Sequence, residues 1–312
     1  VNPQPIITIT GSSSECVGTT GIVYETELGY SNYDWTISGG TITSGSGTNS
    51  IVVNWTTTGT RWVAVNYTDA SGCDAATATQ YPVTVLPLPT PVITGPNSVC
   101  VGATNVQYAT DDDAGITNYQ WSVSAGGTIV GSSTNDNVFI TWNTDGPQTV
   151  SVTYTGANGC DAAAPAVYNV NVNNLPSPSI TGLDEVCNHS TGNVYTTQPG
   201  MSNYVWGISG GTITSGGSGS DNTATVTWNT TGNQSISVNY EQTGCPATSP
   251  FVYPVFVNPL PIVDAGPTQS IPNGTPTILD GTASGGTGTL LYQWEPVSLI
   301  ATGENSLTPT TE

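Results

Sequence analysis

The chain has 312 residues, enough for two to four ordinary domains, yet only 7% of them are charged, against roughly a quarter in a typical soluble domain. Acidic residues number 21, Arg61 is the sole cation, and the formal net charge is −20. Nucleic acid and anionic membrane surfaces are thereby excluded as partners, since both need clustered Lys and Arg, and the absence of lysine excludes Schiff-base chemistry, a Walker-type nucleotide site and internal Lys–Asn isopeptide cross-links.

His189 is the single histidine, so paired-histidine metal motifs cannot occur, and nothing around Cys187-Asn188-His189-Ser190 resembles a nucleophile elbow. No catalytic residue is expected, and no cofactor. Leu, Ile, Val and Phe make up about a fifth of the chain, near the composition at which disorder sets in, so order has to be argued from pattern. No apolar run approaches the ~18 residues that span a bilayer, so direct membrane insertion is not expected. Val1 reads as the tail of a strand, with no initiator Met or leader before it. The expectation is a segment of a longer protein.

In chain order, alternation of period two gives four strands in the first stretch: Tyr33/Trp35/Ile37, Ile51/Val53/Trp55, Val63/Val65/Tyr67 and Tyr81/Val83/Val85. The same sets return as Tyr119/Trp121/Val123, Val138/Ile140/Trp142, Val150/Val152/Tyr154 and Tyr168/Val170/Val172. They return again as Tyr204/Trp206/Ile208, Ala224/Val226/Trp228, Ile236/Val238/Tyr240 and Tyr253/Val255/Val257. Turns fall at Ser38-Gly39-Gly40, Ala125-Gly126-Gly127 and Ser209-Gly210-Gly211. About seven short strands per repeat, with a buried Trp on the third, fit tandem all-β Ig-like sandwiches arranged end to end. Pro82 and Pro254 predict that the last strand is an edge, because proline cannot donate a ladder bond.

The repeats divide the chain into residues 1–87, 88–175, 176–260 and a partial fourth domain, 261–312. Leu86-Pro87-Leu88-Pro89-Thr90-Pro91, Leu175-Pro176-Ser177-Pro178 and Asn258-Pro259-Leu260-Pro261 join them, and alternating prolines favour an extended, semi-rigid linker. Six cysteines fall two per repeat. Read within each repeat, they predict Cys16–Cys73, Cys100–Cys160 and Cys187–Cys245, with no free thiol and an oxidising compartment. Zinc is the rival, but two cysteines per domain cannot fill four positions. The fourth segment places Trp294 in register with Trp206 and stops before its last two strands, which predicts exposure of Leu291 and Trp294 and completion by residues further downstream. Donor-strand complementation by a neighbouring chain is the rival there.

Three features carry a family resemblance: Cys16-Val17-Gly18, the recurring Asn-Tyr-x-Trp motif before a Gly-Gly turn, and Gly72-Cys73 before the last strand. The repeats resemble the PKD-like, Ig-like modules of very large secreted Bacteroidota surface proteins. The fourth segment, with Asp264-Ala265-Gly266-Pro267 and Tyr292-Gln293-Trp294-Glu295-Pro296, resembles a sister type in gliding-motility adhesins. The resemblance implies type IX export and an extracellular, cell-surface adhesin, stalk or filament that spaces and displays distal binding domains. It implies no catalytic or ligand residue. The alternative function is a carbohydrate-binding or accessory module of a secreted enzyme.

Asp111, Asp112, Asp113 and Asp264 are weak Ca²⁺ candidates: hard cations take carboxylates, but no EF-hand spacing follows, and consecutive side chains of an extended strand cannot converge on one ion. Arg61, Trp62, Phe139 and Phe256 are the interface candidates, since the last three stand at nominally wet positions where sister repeats carry mostly small or polar residues. Packing against its own loops is the alternative for Trp62. The partners expected are neighbouring domains or further copies, with surface polysaccharide a third candidate. The sequons at Asn54, Asn66, Asn188, Asn229, Asn233 and Asn273 follow from the Thr- and Asn-rich composition.

Overall fold

A computed structural model describes residues 3–311; the reading of Val1 as a strand tail lies outside them. The first module runs β1 (Ser14–Cys16), β2 (Ile22–Glu25), β3 (Ser31–Ser38), β4 (Gly40–Ser44), β5 (Ser50–Trp55), β6 (Gly59–Thr68) and β7 (Thr79–Leu86). The second repeats this as β8 (Ser98–Cys100), β9 (Val106–Ala109), β10 (Thr117–Val123), β11 (Gly127–Val130), β12 (Asn137–Trp142), β13 (Gly146–Thr155) and β14 (Ala166–Asn173). The third runs β15 (Glu185–Cys187), β16 (Asn193–Thr196), β17 (Ser202–Ser209), β18 (Gly211–Gly216), β19 (Thr223–Trp228), β20 (Gly232–Gln242), the short β21 (Cys245–Pro246) and β22 (Phe251–Asn258). In each, one sheet has the order first, last, sixth, third, as in β1-β7-β6-β3, and the other the order second, fifth, fourth, as in β2-β5-β4. The β1–β7 and β15–β22 pairings are parallel, whereas β2–β5, β4–β5, β3–β6 and β6–β7 are antiparallel. The expected all-β, Ig-like sandwich repeats are what the chain forms.

The alternating positions build the cores. On β5 the pattern puts Ile51, Val53 and Trp55 inside with Val52 and Asn54 between them half-buried. Ile140 and Trp142 do the same on β12, and Val226 and Trp228 on β19. Trp55, Trp142 and Trp228 are wholly buried, each meeting Tyr24, Tyr108 or Tyr195 edge to face at 6.0–6.2 Å. The deepest indole is therefore on the fifth strand. Trp35 and Trp121 on the third strand are also buried, but Trp206 is half-buried, its Nε1 donating to the Asp221 carbonyl at 2.9 Å.

The Asn of each Asn-Tyr-x-Trp motif has a local cause. Asn32, Asn118 and Asn203 lie in the left-handed region, φ 53–56°, at a bulge where the third strand slips against the sixth. Asn tolerates this conformation better than most residues. The bulge turns Tyr33, Tyr119 and Tyr204 toward the loop before the strand, where each hydroxyl donates to the carbonyl of Glu27, Asp111 or Gln198.

The last strand is not an edge. β1 covers β7 and β15 covers β22, which corrects the reading of Pro82 and Pro254. The cover is short: Ser14 pairs with Thr84 and Cys16 with Leu86, and Glu185 pairs with Phe256. Both prolines lie before the covered stretch, on an open side where no donor is required.

The fourth segment forms two small ladders, β23 (Pro261–Asp264) with β24 (Thr282–Gly285), and β25 (Ile300–Thr302) with β26 (Thr310–Thr311). Ile262, Val263 and Leu291 are exposed, as the sequence predicts for Leu291. Trp294 is half-buried: it packs on Gly281 and its Nε1 donates to the Ser306 carbonyl at 2.8 Å.

Candidate functional site at the joint between modules

Residues 3–172 form one compact unit that holds the first two modules; residues 173–311 form another. Within the first unit, the two ends of each sandwich carry different chemistry. At the exit end, Cys16 stands beside Leu86, where the chain leaves for the linker. At the entry end, the turn between the sixth and seventh strands meets the incoming chain.

The entry end is organised by one acceptor. In the first module it is Glu27, three residues beyond Tyr24. Its carboxylate accepts from the Thr8 backbone N–H at 3.0 Å and the Tyr67 hydroxyl at 3.0 Å, and from the Thr26 hydroxyl at 2.7 Å; the Thr8 hydroxyl also donates to it. Asp111 holds the same place in the second module, accepting from Tyr154 at 2.7 Å and from the Val92 N–H at 3.3 Å. Gln198 holds it in the third, accepting from Tyr240 at 2.7 Å and from the Ser179 N–H at 3.2 Å. A side chain on the second-to-third-strand loop thus ties the incoming chain to a sixth-strand tyrosine. Burial works against the Glu27 charge, but donors from Thr8, Thr26 and Tyr67 outweigh it and hold its pKa down at about 2. Burial, and then the carboxylates that accept from them, push the Tyr67 and Tyr154 hydroxyls up, so both remain donors.

The linker docks on this end. Asn158 Nδ2 donates to the Pro87 carbonyl at 2.7 Å, and Gly156 lies against Pro89, where an added Cβ would come within 3.3 Å of the proline. A cleft of about 410 Å³ runs between residues 87–90, Asp111 and Tyr154.

The cysteine pairing corrects the sequence reading. Cys16 bonds to Cys160, with Cα atoms 5.8 Å apart and a sequence separation of 144. Cys73 and Cys187 are free thiols, and Cys100 and Cys245 are oxidised. Cys16–Cys73, Cys100–Cys160 and Cys187–Cys245 do not form. The reason is length. Cys16 sits at the Gly59 end of β6 and Cys73 lies beyond its Thr68 end, about 30 Å away at ~3.3 Å per residue, whereas a disulfide needs Cα atoms within about 7 Å. Cys187 and Cys245 are separated in the same way by the length of β20. The exit end of the first module and the entry turn of the second, by contrast, face one another.

The other candidates divide. Asp111 is committed to the hub; Asp112 and Asp113 are exposed, and Asp264 Oδ1 accepts from the Gly266 N–H in its own turn. Among the described residues no group of three or more His, Cys, Asp or Glu side chains is placed to hold a metal ion. Arg61 lies over Gly39 and donates to the Thr57 carbonyl at 3.2 Å and to the Thr58 carbonyl. Gln148 and Gln234 do the equivalent work, holding Ser124 and Ser209 of the corresponding hairpins. Trp62 is half-buried and stands opposite Pro82; Phe139 and Phe256 are about two-fifths exposed on separate modules. The hub residues Glu27 and Gln198 were not singled out from the sequence. Their signal is an acceptor three residues after each core tyrosine.

A run of seven-stranded sandwiches whose linkers are hydrogen-bonded into the next module defines a tandem Ig-like architecture. The PKD-like domain family matches residues 2–83, 86–170 and 174–255. The chain belongs to that family. No curated protein matches the sequence. Among solved structures, the Escherichia coli adhesin FdeC is similar at 18% identity, covering 80% of this chain and 96% of that one with a TM-score of 0.31. The bacterial integrin-binding protein invasin is similar at 13% identity, covering 83% and 60%, TM-score 0.33. The first eight Ig domains of Down syndrome cell adhesion molecule are similar at 12% identity, covering 98% and 45%, TM-score 0.34.

Proposed function

We propose that this chain is a non-catalytic stalk or filament segment of an extracellular bacterial surface adhesin, which spaces and displays binding domains carried elsewhere. The observation that supports it most is the first joint: the first and second modules are bonded covalently through Cys16 and Cys160, and the linker between them is held by Asn158 at the Pro87 carbonyl. A spacer needs fixed joints, whereas a free-standing binding module does not. Membership of the PKD-like family and oxidised cysteines support export. The finer identity, a Bacteroidota protein of the gliding-motility-adhesin kind exported by the type IX system, rests on the resemblance of its motifs. Antibody against the purified chain should label intact cells of the source, and loss of type IX export should abolish that label. Confinement to the cytosol, with all six cysteines reduced, overturns the proposal. Saturable binding of one glycan on an array, abolished by a substitution within a single module, would instead favour a carbohydrate-binding module.

A further inference from the structure

The Cys16–Cys160 bond joins two kinds of half, and each kind recurs at a free thiol. The exit half is a cysteine closing the first strand. Cys16 stands opposite Leu86, one residue before Pro87; its carbonyl accepts from the Thr19 N–H at 3.1 Å, and the Gly18 N–H donates to the Trp55 carbonyl at 2.8 Å. Cys187 stands opposite Asn258, one residue before Pro259; its carbonyl accepts from the Ser190 N–H at 3.0 Å, and the His189 N–H donates to the Trp228 carbonyl at 2.8 Å. His189 even takes the left-handed conformation of Gly18, φ 60° against 88°.

The entry half is a cysteine in the turn after the sixth strand. The Cys160 carbonyl accepts from the Gly156 N–H at 2.8 Å, Gly159 before it is left-handed, and Asp161 after it bridges back to Thr155. The Cys73 carbonyl accepts from the Asp69 N–H at 2.9 Å, Gly72 before it is left-handed, and Asp74 after it bridges back to Thr68. Cys100 and Cys245, the exit cysteine of the second module and the entry cysteine of the third, are oxidised. Only an entry half in the first module and an exit half in the third remain as thiols, Cys73 half-buried and Cys187 exposed. Cys187 lines a cleft of about 390 Å³ with Pro259, Leu260 and Tyr292.

We propose that Cys73 and Cys187 are the two open halves of this same joint, and that Cys187 of one chain closes a disulfide with Cys73 of a second copy. The role of the bond rests on the stalk-or-filament reading above; its chemistry rests on the matched turns. One chain carries one half of each kind, so the contact is heterologous, head to tail, and every copy added presents a new open half. In forming the bond, Cys73 and Cys187 each give up a hydrogen, and a small-molecule disulfide takes up both and becomes two thiols.

Complementary variants test this. C73S keeps only the exit thiol and C187S only the entry thiol, and neither touches an oxidised cysteine. Cys187 of C73S is activated as its mixed disulfide with thionitrobenzoate and mixed with C187S. The product should be two chains joined and nothing longer, and the thionitrobenzoate released reports the rate. Like pairings, activated C187S with C187S and activated C73S with C73S, are run beside it. Head-to-tail pairing should be roughly tenfold faster or more, because docking of matched ends raises the effective concentration of the thiols. Equal rates overturn the proposal. The wild-type chain needs no substitution: kept with a glutathione redox pair, it should give a ladder of multiples of 32.0 kDa that reductant collapses. A ladder joined by Cys73–Cys73 or Cys187–Cys187 peptides overturns the proposal. Pairing is read on the purified chain, so its failure is separate from failure of the cell-surface label.

Discussion

Glu27 sets the acid limit of the first module. Its pKa falls from 4.5 to about 2 on folding, so its contribution is complete above about pH 4.5 and is lost as the pH falls toward 2. At its half-buried position this amounts to about 1–2 kcal/mol after solvent screening. E27Q should remove that part of the acid transition while keeping the hub, because Gln198 already fills the same role in the third module. Thermal melts of the wild-type and variant proteins between pH 2 and pH 6 check this, and parallel pH curves would contradict it. Gly11, Gly95 and Gly182 show a second residue-level constraint. An added Cβ at Gly182 would lie 2.3 Å from Cδ1 of Tyr195, whose hydroxyl donates to the Leu183 carbonyl. G182A should therefore cost about 1–3 kcal/mol through overpacking, read as a lower denaturant midpoint.

Among the elements, the central strands were plain from alternation because each has one apolar and one Thr- or Asn-rich face. The first strand of each sandwich was not. Ser14, Glu15 and Cys16 have no apolar period, and their pairing with β7 is made by backbone alone. Missing it turned Pro82 into a sign of an edge. The cover nevertheless has a sharp requirement: the Thr84 N–H donates to the Ser13 carbonyl at 2.9 Å. T84P, only two residues from a native proline, should orphan that acceptor and cost about 1–3 kcal/mol. Hydrogen exchange would show it as faster exchange of the amides of β1, with β3 and β5 unchanged.

For the molecule as a whole, the period of the sequence placed the cysteines but could not pair them. A bond within each repeat and a bond from each repeat to the next leave the same two cysteines per repeat at the same spacing. What separates the two is the length of β6, which fixes that the two cysteines of one module sit at opposite ends. The same limit hid the hub, since Glu27, Asp111 and Gln198 share a role but not a side chain. Two thiols, Cys73 and Cys187, should react with a thiol reagent in the unreduced, unfolded protein. Peptide mapping without reductant should recover a Cys16–Cys160 pair; a Cys16–Cys73 peptide would refute the joint.

Arg61 has a further consequence, for digestion. It is the one position where trypsin can cut, and it lies inside β6 with its guanidinium turned back on Thr57 and Thr58. The protease must wait for that strand to open, so the rate of cutting reports the opening of the first sandwich and of nothing else. The cut falls inside the ring closed by Cys16 and Cys160, so the nicked protein stays in one piece. Trypsin should leave a single band of 32.0 kDa on a gel run without reductant and two bands on a gel run with it. R61Q, which puts at this position the residue that Gln148 and Gln234 already supply, should keep the fold and leave trypsin nothing to cut.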